Sequence, residues 1–453
     1  MNKNKQISIG LMMMAASLGI PAYAQNDSLR TQAGDTIHLT LDQAIKVAMD
    51  QNPTIVVDSM EVQKTNYAQK ENLGNLYPSL SLVGSYSHTI EKQKMQMMGK
   101  EFEVGSSENW AFGFQAGMPL INAPLWASLK LTEESINAKR ESARQTKINM
   151  VSTITEAYYQ LLNAKDSYKV LKESYSTANE NLRITRKRFE QGMTSEYDTI
   201  QTSVQVKQIE PNMISAKNGI DLATLQLKIL MGMPDQYPIT VDGSLEDYEK
   251  TMFDDVKLSD IDTTLSDNST VRQLEVNTRL LEKQLKMTKM QWYPTLSLSF
   301  MYEWMAMSDD LKMADYTWNP YSTVGITLNF PIFQGGKRYY KQKEDEVAYN
   351  EMKFTMDDTK RQLKLGLQAN INSLRVAIQT IDATKAAVKS AEKGLEISKK
   401  RYEVGAGTTL ELTNAQTSVT QAKLSYLQAI YNYITAKDAV DKVLGNAYKS
   451  YVQ

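Results

Sequence analysis

Side-chain catalysis draws mainly on thiols, imidazoles and paired carboxylates, and this chain of 453 residues is short of the first two. It has no cysteine and only two histidines, His38 and His88. Thiol nucleophiles, disulfide frameworks and cysteine–histidine zinc clusters are thereby excluded, and imidazole chemistry has little to work with. Serine, histidine and aspartate form no recognisable nucleophile motif. Gly335-Gly336-Lys337-Arg338 looks like part of a phosphate loop, but Pro331 stands where its first glycine belongs and Arg338 replaces the following Ser/Thr. The stretch reads instead as the start of a long helix. The 24 methionines are scattered and read as helix packing rather than as metal ligands. A formal charge of −1 offers no field to nucleic acid. No enzyme, cofactor or metal is expected from this inventory.

With no chemistry to position, the information lies in the elements themselves. Hydrophobic residues make up 42% and charged residues 23%, which excludes a disordered or collagen-like chain. Glycine and proline are scarce, at 21 and 11, and favour long uninterrupted elements. Residues 1–24 read as a secretory signal: Lys3 and Lys5, an apolar stretch Ile7–Ile20, and the small-x-small site Ala22-Tyr23-Ala24, with cleavage after Ala24. That stretch is shorter than the ~20 residues of a membrane-spanning helix. No other apolar stretch is long enough, so the exported chain is expected to lack a transmembrane helix.

The chain is written twice. Tyr77-Pro78-Ser79-Leu80-Ser81-Leu82 returns as Tyr293-Pro294-Thr295-Leu296-Ser297-Leu298, 216 residues later, and Asn52 returns as Asn268 at the same offset. Arg188-Phe189-Glu190-Gln191-Gly192 returns as Arg401-Tyr402-Glu403-Val404-Gly405, 213 later, and Met231-Gly232 as Leu444-Gly445. Offsets that hold within each stretch and differ by only a few residues between stretches mark a duplication, with the length difference in a loop.

Each copy holds two segments alternating with period two, the mark of strands with one apolar and one polar face. The apolar rows are Leu80, Leu82, Gly84, Tyr86, His88, Ile90; then Trp110, Phe112, Phe114, Ala116, Met118, Leu120; then Leu296, Leu298, Phe300, Tyr302, Trp304; and last Val324, Ile326, Leu328, Phe330. Strands of this length cross a bilayer when tilted, and the small polar residues opposite suit a water-filled lumen. Tyr77, Trp110, Tyr293, Trp304 and Trp318 then read as membrane-girdle aromatics. Open sheet edges cannot exist in hydrocarbon, and the smallest known barrels have about eight strands. Several chains must therefore share one closed sheet: two would give eight strands and three would give twelve. The sequence does not choose between them.

From Leu125 to Gln191 there is neither glycine nor proline. A seven-residue series runs through Ile154, Leu161, Tyr168, Tyr175, Leu182 and Phe189, and again through Leu367, Leu374, Ile381, Val388, Leu395 and Tyr402. Such a repeat predicts supercoiled helices, here roughly 100 Å long at 1.5 Å per residue. Shorter helices return antiparallel, giving two helical hairpins per chain. The fold class expected is mixed α and β membrane protein: two tandem copies, each with two transmembrane strands and a long antiparallel coiled-coil hairpin.

Signal, duplication, strand pairs and heptad hairpins together resemble the TolC-like outer membrane efflux protein family. The local marks are Leu39-Thr40-Leu41-Asp42-Gln43-Ala44 ending in Asn52-Pro53, and Arg401-Tyr402-Glu403-Val404-Gly405 leading to Asn414-Ala415-Gln416. The resemblance implies a homotrimer with a twelve-strand β-barrel in the outer membrane lipids of a Gram-negative bacterium, continued by an α-helical barrel through the periplasm. It implies docking on a periplasmic adaptor and, through it, an inner-membrane transporter of RND, ABC or MFS type. The function implied is a passive exit duct for efflux or type I secretion. The alternative is a non-conducting coiled-coil scaffold or adhesin.

On this resemblance the chain divides into the signal peptide 1–24, periplasmic helices 25–76, a β-hairpin 77–120, a helical hairpin 121–232, a connector 233–266, a periplasmic helix 267–292, a second β-hairpin 293–332, a second helical hairpin 333–445 and a tail 446–453. Adaptor docking falls to the hairpin tips Gln191, Gly192, Met193, Thr194, Ser195 and Val404, Gly405, Ala406, Gly407, Thr408. In the family a closed periplasmic mouth is held by links between hairpins and lined by acidic rings. Asp198 and Tyr402 match one such link, Glu411 matches a ring acid, Asn414 replaces the second acid, and Gly407 replaces an arginine of a second link. A weaker latch and a less cation-attracting mouth are expected, and Tyr402→Phe should raise conductance.

Overall fold

The computed structural model describes residues 36–97, 99–249, 264–312 and 315–445; the signal segment, the tail 446–453 and much of the connector lie outside these. In chain order the first copy comprises β1 (Ile37–Leu39), α1 (Leu41–Gln51), α2 (Pro53–Gly74), β2 (Ser79–His88), β3 (Gln93–Met97), β4 (Lys100–Val104), β5 (Glu108–Asn122), α3 (Ala123–Glu190) and α4 (Glu196–Met231). Then follow β6 (Ile239–Val241), α5 (Leu245–Glu249), α6 (Ser269–Met290), β7 (Thr295–Ser308), β8 (Asn319–Asn329), α7 (Lys337–Glu403) and α8 (Thr409–Leu444).

The four long strands form one antiparallel sheet in the order β2-β5-β7-β8, so the two copies join through β5 and β7. Direct opposition puts Leu82, Phe114 and Tyr302 in one row and Ser81, Gln115, Met301 and Thr323 in the next. Alternate rows face opposite sides, so the sheet has an apolar side and a mainly polar one. Four helices continue it: α2 and α6 lead into β2 and β7, while α3 and α7 follow β5 and β8. Gly335 and Gly336, at φ +61° and +79°, form the turn into α7. Arg338 there is buried under Trp292, 4.3 Å from its ring centre, and donates to the carbonyls of Gln291 and Pro331. The glycine-lysine stretch is a helix start.

Three features depart from the sequence reading. The register of β5 against β7 shifts between Pro119 and Ile121, so Ile121, not Leu120, opposes Leu296 in the apolar row. Pro119 has no N–H for a ladder, and an extra residue beside it is how strands absorb such a break. An additional hairpin, β3 with β4, rises between β2 and β5. Finally, β6 of the connector pairs in parallel with β1, some 200 residues away in sequence.

The main core lies where that small sheet, α1 and α5 pack on the middle of the long helices. Ile154 and Leu161 of α3, Leu367, Leu374 and Ile381 of α7, and Ile430 and Tyr433 of α8 are buried there. The heptad series therefore begins as core. It ends in the open: Phe189 is exposed and Tyr402 only half-buried.

The duplication is visible as geometry. Asn52 caps α2, accepting from Thr54 N, and its amide donates to Leu230 O at 2.7 Å; Asn268 caps α6, accepting from Val271 N, and donates to Val443 O at 2.7 Å. Gly232 and Gly445 end α4 and α8 in left-handed conformation against those same turns. A Cβ on Gly232 would stand 2.6 Å from Gln51 O, and one on Gly445 2.3 Å from Asp267 O.

Candidate functional site

The two hairpin tips are built alike. At the first, Gly192 at φ +72° lets Gly192 N donate to Phe189 O and Met193 N to Arg188 O, satisfying the last carbonyls of α3. Ser195 caps α4, receiving Asp198 N, while the hydroxyls of Ser195 and Thr194 donate to Asp198 Oδ2 at 2.6 and 2.9 Å. The Ser195 hydroxyl, helped by those of Thr194 and Thr409, holds the Asp198 carboxyl below the usual carboxylate range. At the second tip Gly405, at φ +77°, donates to Tyr402 O, and Ala406 and Gly407 both donate to Arg401 O. Thr408 caps α8 by accepting from Glu411 N at 3.1 Å. A Cβ on Gly407 would lie 3.0 Å from Tyr402 N, so the tight turn itself accounts for a glycine there.

Asp198 and Tyr402 lie on facing hairpins, and each has a different neighbour. Asp198 is held by its own cap and by the Thr409 hydroxyl of α8, and Tyr402 presents its ring to Arg188, 5.0 Å from the centroid. Arg188 and Tyr402 flank a cavity of about 530 Å³ between the two helical hairpins, with Thr185, Thr202, Thr409 and Gln416 around it. Glu411 is paired with Arg401 at 3.4 Å, and Arg401 also donates to Ala406 O. Asn414 is exposed. Sequence reasoning did not single out Arg188 or Arg401 as partners; their position in the repeated Arg-aromatic-Glu pattern was the available signal. Met193 and Val404, 74% and 78% exposed, place apolar side chains at the tips.

At the other end of the molecule the aromatic residues occupy two levels. Tyr77 and Tyr293 are exposed where helices enter β2 and β7. Trp110 stacks on Tyr86 at 4.4 Å, Trp304 lies 6.3 Å from Phe112 and 4.8 Å from Tyr302, and Trp318 is exposed just before β8, all toward the far end of the sheet. The nine steps from Tyr77 to Tyr86 span about 30 Å of strand, or a little over 20 Å when tilted. The apolar side between these levels is bare: Leu80 and Val324 are both 72% exposed. β2 and β8 have no further partner strand among the described residues. Both histidines serve structure, His38 on Asp242 and His88 on Glu108. No helix among the described residues is long and apolar enough to cross a membrane.

A sheet apolar on one side, open at both edges and continued directly by 67- and 68-residue helices is a piece of a channel wall. The chain belongs to the outer membrane efflux protein family, whose profile matches residues 44–233 and 261–446. It is 22% identical to the outer membrane protein TolC of Escherichia coli K12 over 346 residues, 73% of this chain and 68% of TolC. It is likewise 22% identical to the alkaline protease secretion protein AprF of Pseudomonas aeruginosa, over 65% of this chain and 61% of AprF. Among solved structures, the CmeC outer membrane channel of Campylobacter jejuni superposes with a TM-score of 0.72 at 18% identity, covering 89% of this chain and 85% of CmeC. The outer membrane protein VceC of Vibrio cholerae gives 0.72 at 16% identity, over 90% and 97%. The family consists of channels, and this chain is not an enzyme.

Proposed function

We propose that three copies of this chain close a twelve-strand barrel in the outer membrane and that the long helices extend it as a tunnel into the periplasm. The single observation that carries this reading is the bare four-stranded sheet. Its apolar face and two unpaired edges are incompatible with both water and lipid until neighbours complete the ring. The strands 77–120 and 293–332 form the membrane part, the hairpins 121–232 and 333–445 the tunnel, and cleavage after Ala24 delivers the chain. The duct is passive, and its partners supply the energy. Solutes reach it from a periplasmic adaptor and an inner-membrane transporter of RND, ABC or MFS class. The exposed apolar tips at Met193 and Val404 suit adaptor docking, and the ring–guanidinium contact of Arg188 with Tyr402 suits a latch at the mouth.

Ion conductance of the purified protein in planar bilayers tests the duct. Discrete channel steps are expected. Electrical silence, with the oligomer shown to be inserted, would overturn the duct in favour of a scaffold.

A further inference from the structure

On the lumen-facing rows of the sheet, three strands are lined by serine, threonine, asparagine, glutamine, glycine and a few other uncharged residues, but β7 carries Met301, Glu303, Met305 and Met307. Parity puts these four on the side opposite Tyr302 and Trp304. The cross-strand neighbours are uncharged: Gln115 and Thr323 beside Met301, Ala111 and Asn319 beside Met305, and Asn109 beside Met307. Methionines here are not required by the fold. At the offset of 216 that relates the copies, Met301, Glu303 and Met305 correspond to Ser85, Ser87 and Thr89. Met307 is 57% exposed, so it fills no core.

Met305 and Met307 also border a cavity of about 220 Å³ with Asp315, Tyr316 and Asn319. The Tyr316 hydroxyl, next in sequence to Asp315, donates to Asp310 O at 2.7 Å. No cation pairs with Asp315 among the described residues. Residues i and i+2 of a strand lie about 7 Å apart, and the three rotatable bonds of methionine let both sulfurs turn toward one point. Two thioethers with one carboxylate form a soft donor set carrying a single negative charge. Thioethers favour monovalent ions of the copper(I) class, whereas calcium and magnesium require oxygen ligands.

We propose that Met305, Met307 and Asp315 form a transit site for a soft monovalent cation, copper(I) or silver(I), at the outer end of the lumen. The placement in a lumen rests on the duct reading; the donor set does not. Conduction needs sites that hold an ion only loosely, and two thioethers and one carboxylate on a wet surface meet that need. Glu303 and Met301, farther along the same row, give the ion a path toward the site.

The test is calorimetric titration of the full-length protein in lipid nanodiscs with silver nitrate in chloride-free buffer. The expected result is saturable binding of one silver per protomer. In the Met305→Leu/Met307→Leu double variant the affinity should fall at least tenfold, with an oligomer as heat-stable as the parent on gels. Met60→Leu, a substitution on α2 remote from the site, should leave binding intact, and magnesium should give no signal. Absence of silver binding, or binding undiminished in the double variant, would overturn the proposal. If the double variant does not assemble, Asp315→Asn is titrated instead, and undiminished binding there would overturn it equally. The titration is independent of conductance: a silent bilayer sinks the duct and leaves the metal site standing, and the reverse failure does the opposite.

Discussion

An aromatic ring and a phenol hydroxyl offer a neighbour different handles, and Tyr402 uses its ring. Because Arg188 meets the ring face, Tyr402→Phe should leave single-channel conductance nearly unchanged, while Tyr402→Ala and Arg188→Ala should both raise it. Equal effects of Phe and Ala in bilayer recordings would restore the hydroxyl link expected from the family resemblance. The contact is a half-buried cation–π pair, about 1 kcal/mol, so the increase should be severalfold and not all-or-none. That resemblance could nominate Tyr402 and Asp198 but could not foresee that the Ser195 cap engages Asp198, because a cap and a latch compete for the same oxygens. A second residue-scale prediction concerns pH. Burial raises the Asp441 carboxyl to about 6, with Asp438 adding to the rise and Lys437 opposing it; burial raises the neighbouring Glu156 as well. A carboxyl whose folded pKa exceeds its unfolded value destabilises the fold when ionised. Stability should therefore rise as pH falls from 7.5 through 6 to about 5, by roughly 1–1.5 kcal/mol from Asp441. Asp441→Asn should flatten this dependence in thermal melts.

Each copy is held together by one repeated joint: an asparagine that caps a helix and also ties down the end of another. Removing it by Asn268→Ala loses the cap and a buried hydrogen bond to Val443 O, together about 2–3 kcal/mol. A lowered melting temperature checks this. An unchanged one would show that the Gly445 turn alone holds the joint. In the sheet, a Cβ on Gly113 would fall 2.2 Å from Tyr302 O, so Gly113→Val should abolish assembly of the oligomer on native gels. Both joints stood in the sequence as spacing alone: Asn52 returned as Asn268 at 216 and Gly232 as Gly445 at 213, but an offset does not say what touches what. The strands and long helices were legible because periods of two and seven repeat many times. The β3–β4 hairpin was missed because its five-residue arms are too short to establish a period. The connector strand β6 has only three residues and a partner some 200 positions away. The register shift at Pro119 was readable only as a proline in a strand; its consequence, the swap of Leu120 for Ile121, needed the partner strand.

For the molecule as a whole, the duplication determined what could be read. Two β-hairpins joined through β5 and β7 give one even-stranded sheet, whose edges β2 and β8 run in opposite directions. An identical neighbour therefore always offers an antiparallel edge, whichever ring size closes. Since the chain has no cysteine of its own, a cysteine at Ser81 or Ser85 combined with one at Thr323 or Thr327 should cross-link chains upon oxidation, yielding covalent trimers on gels. Ladders ending at dimers would require an eight-strand ring, and monomers in all four combinations would refute ring closure.

The bare sheet also places a demand on assembly. A solitary subunit has no stable resting place in the bilayer, so insertion must wait until its companions arrive together. The rate of appearance of folded complexes should accordingly climb more steeply than linearly with protein supply, and scarcity should leave subunits stranded at the surface rather than half-built pores leaking the envelope.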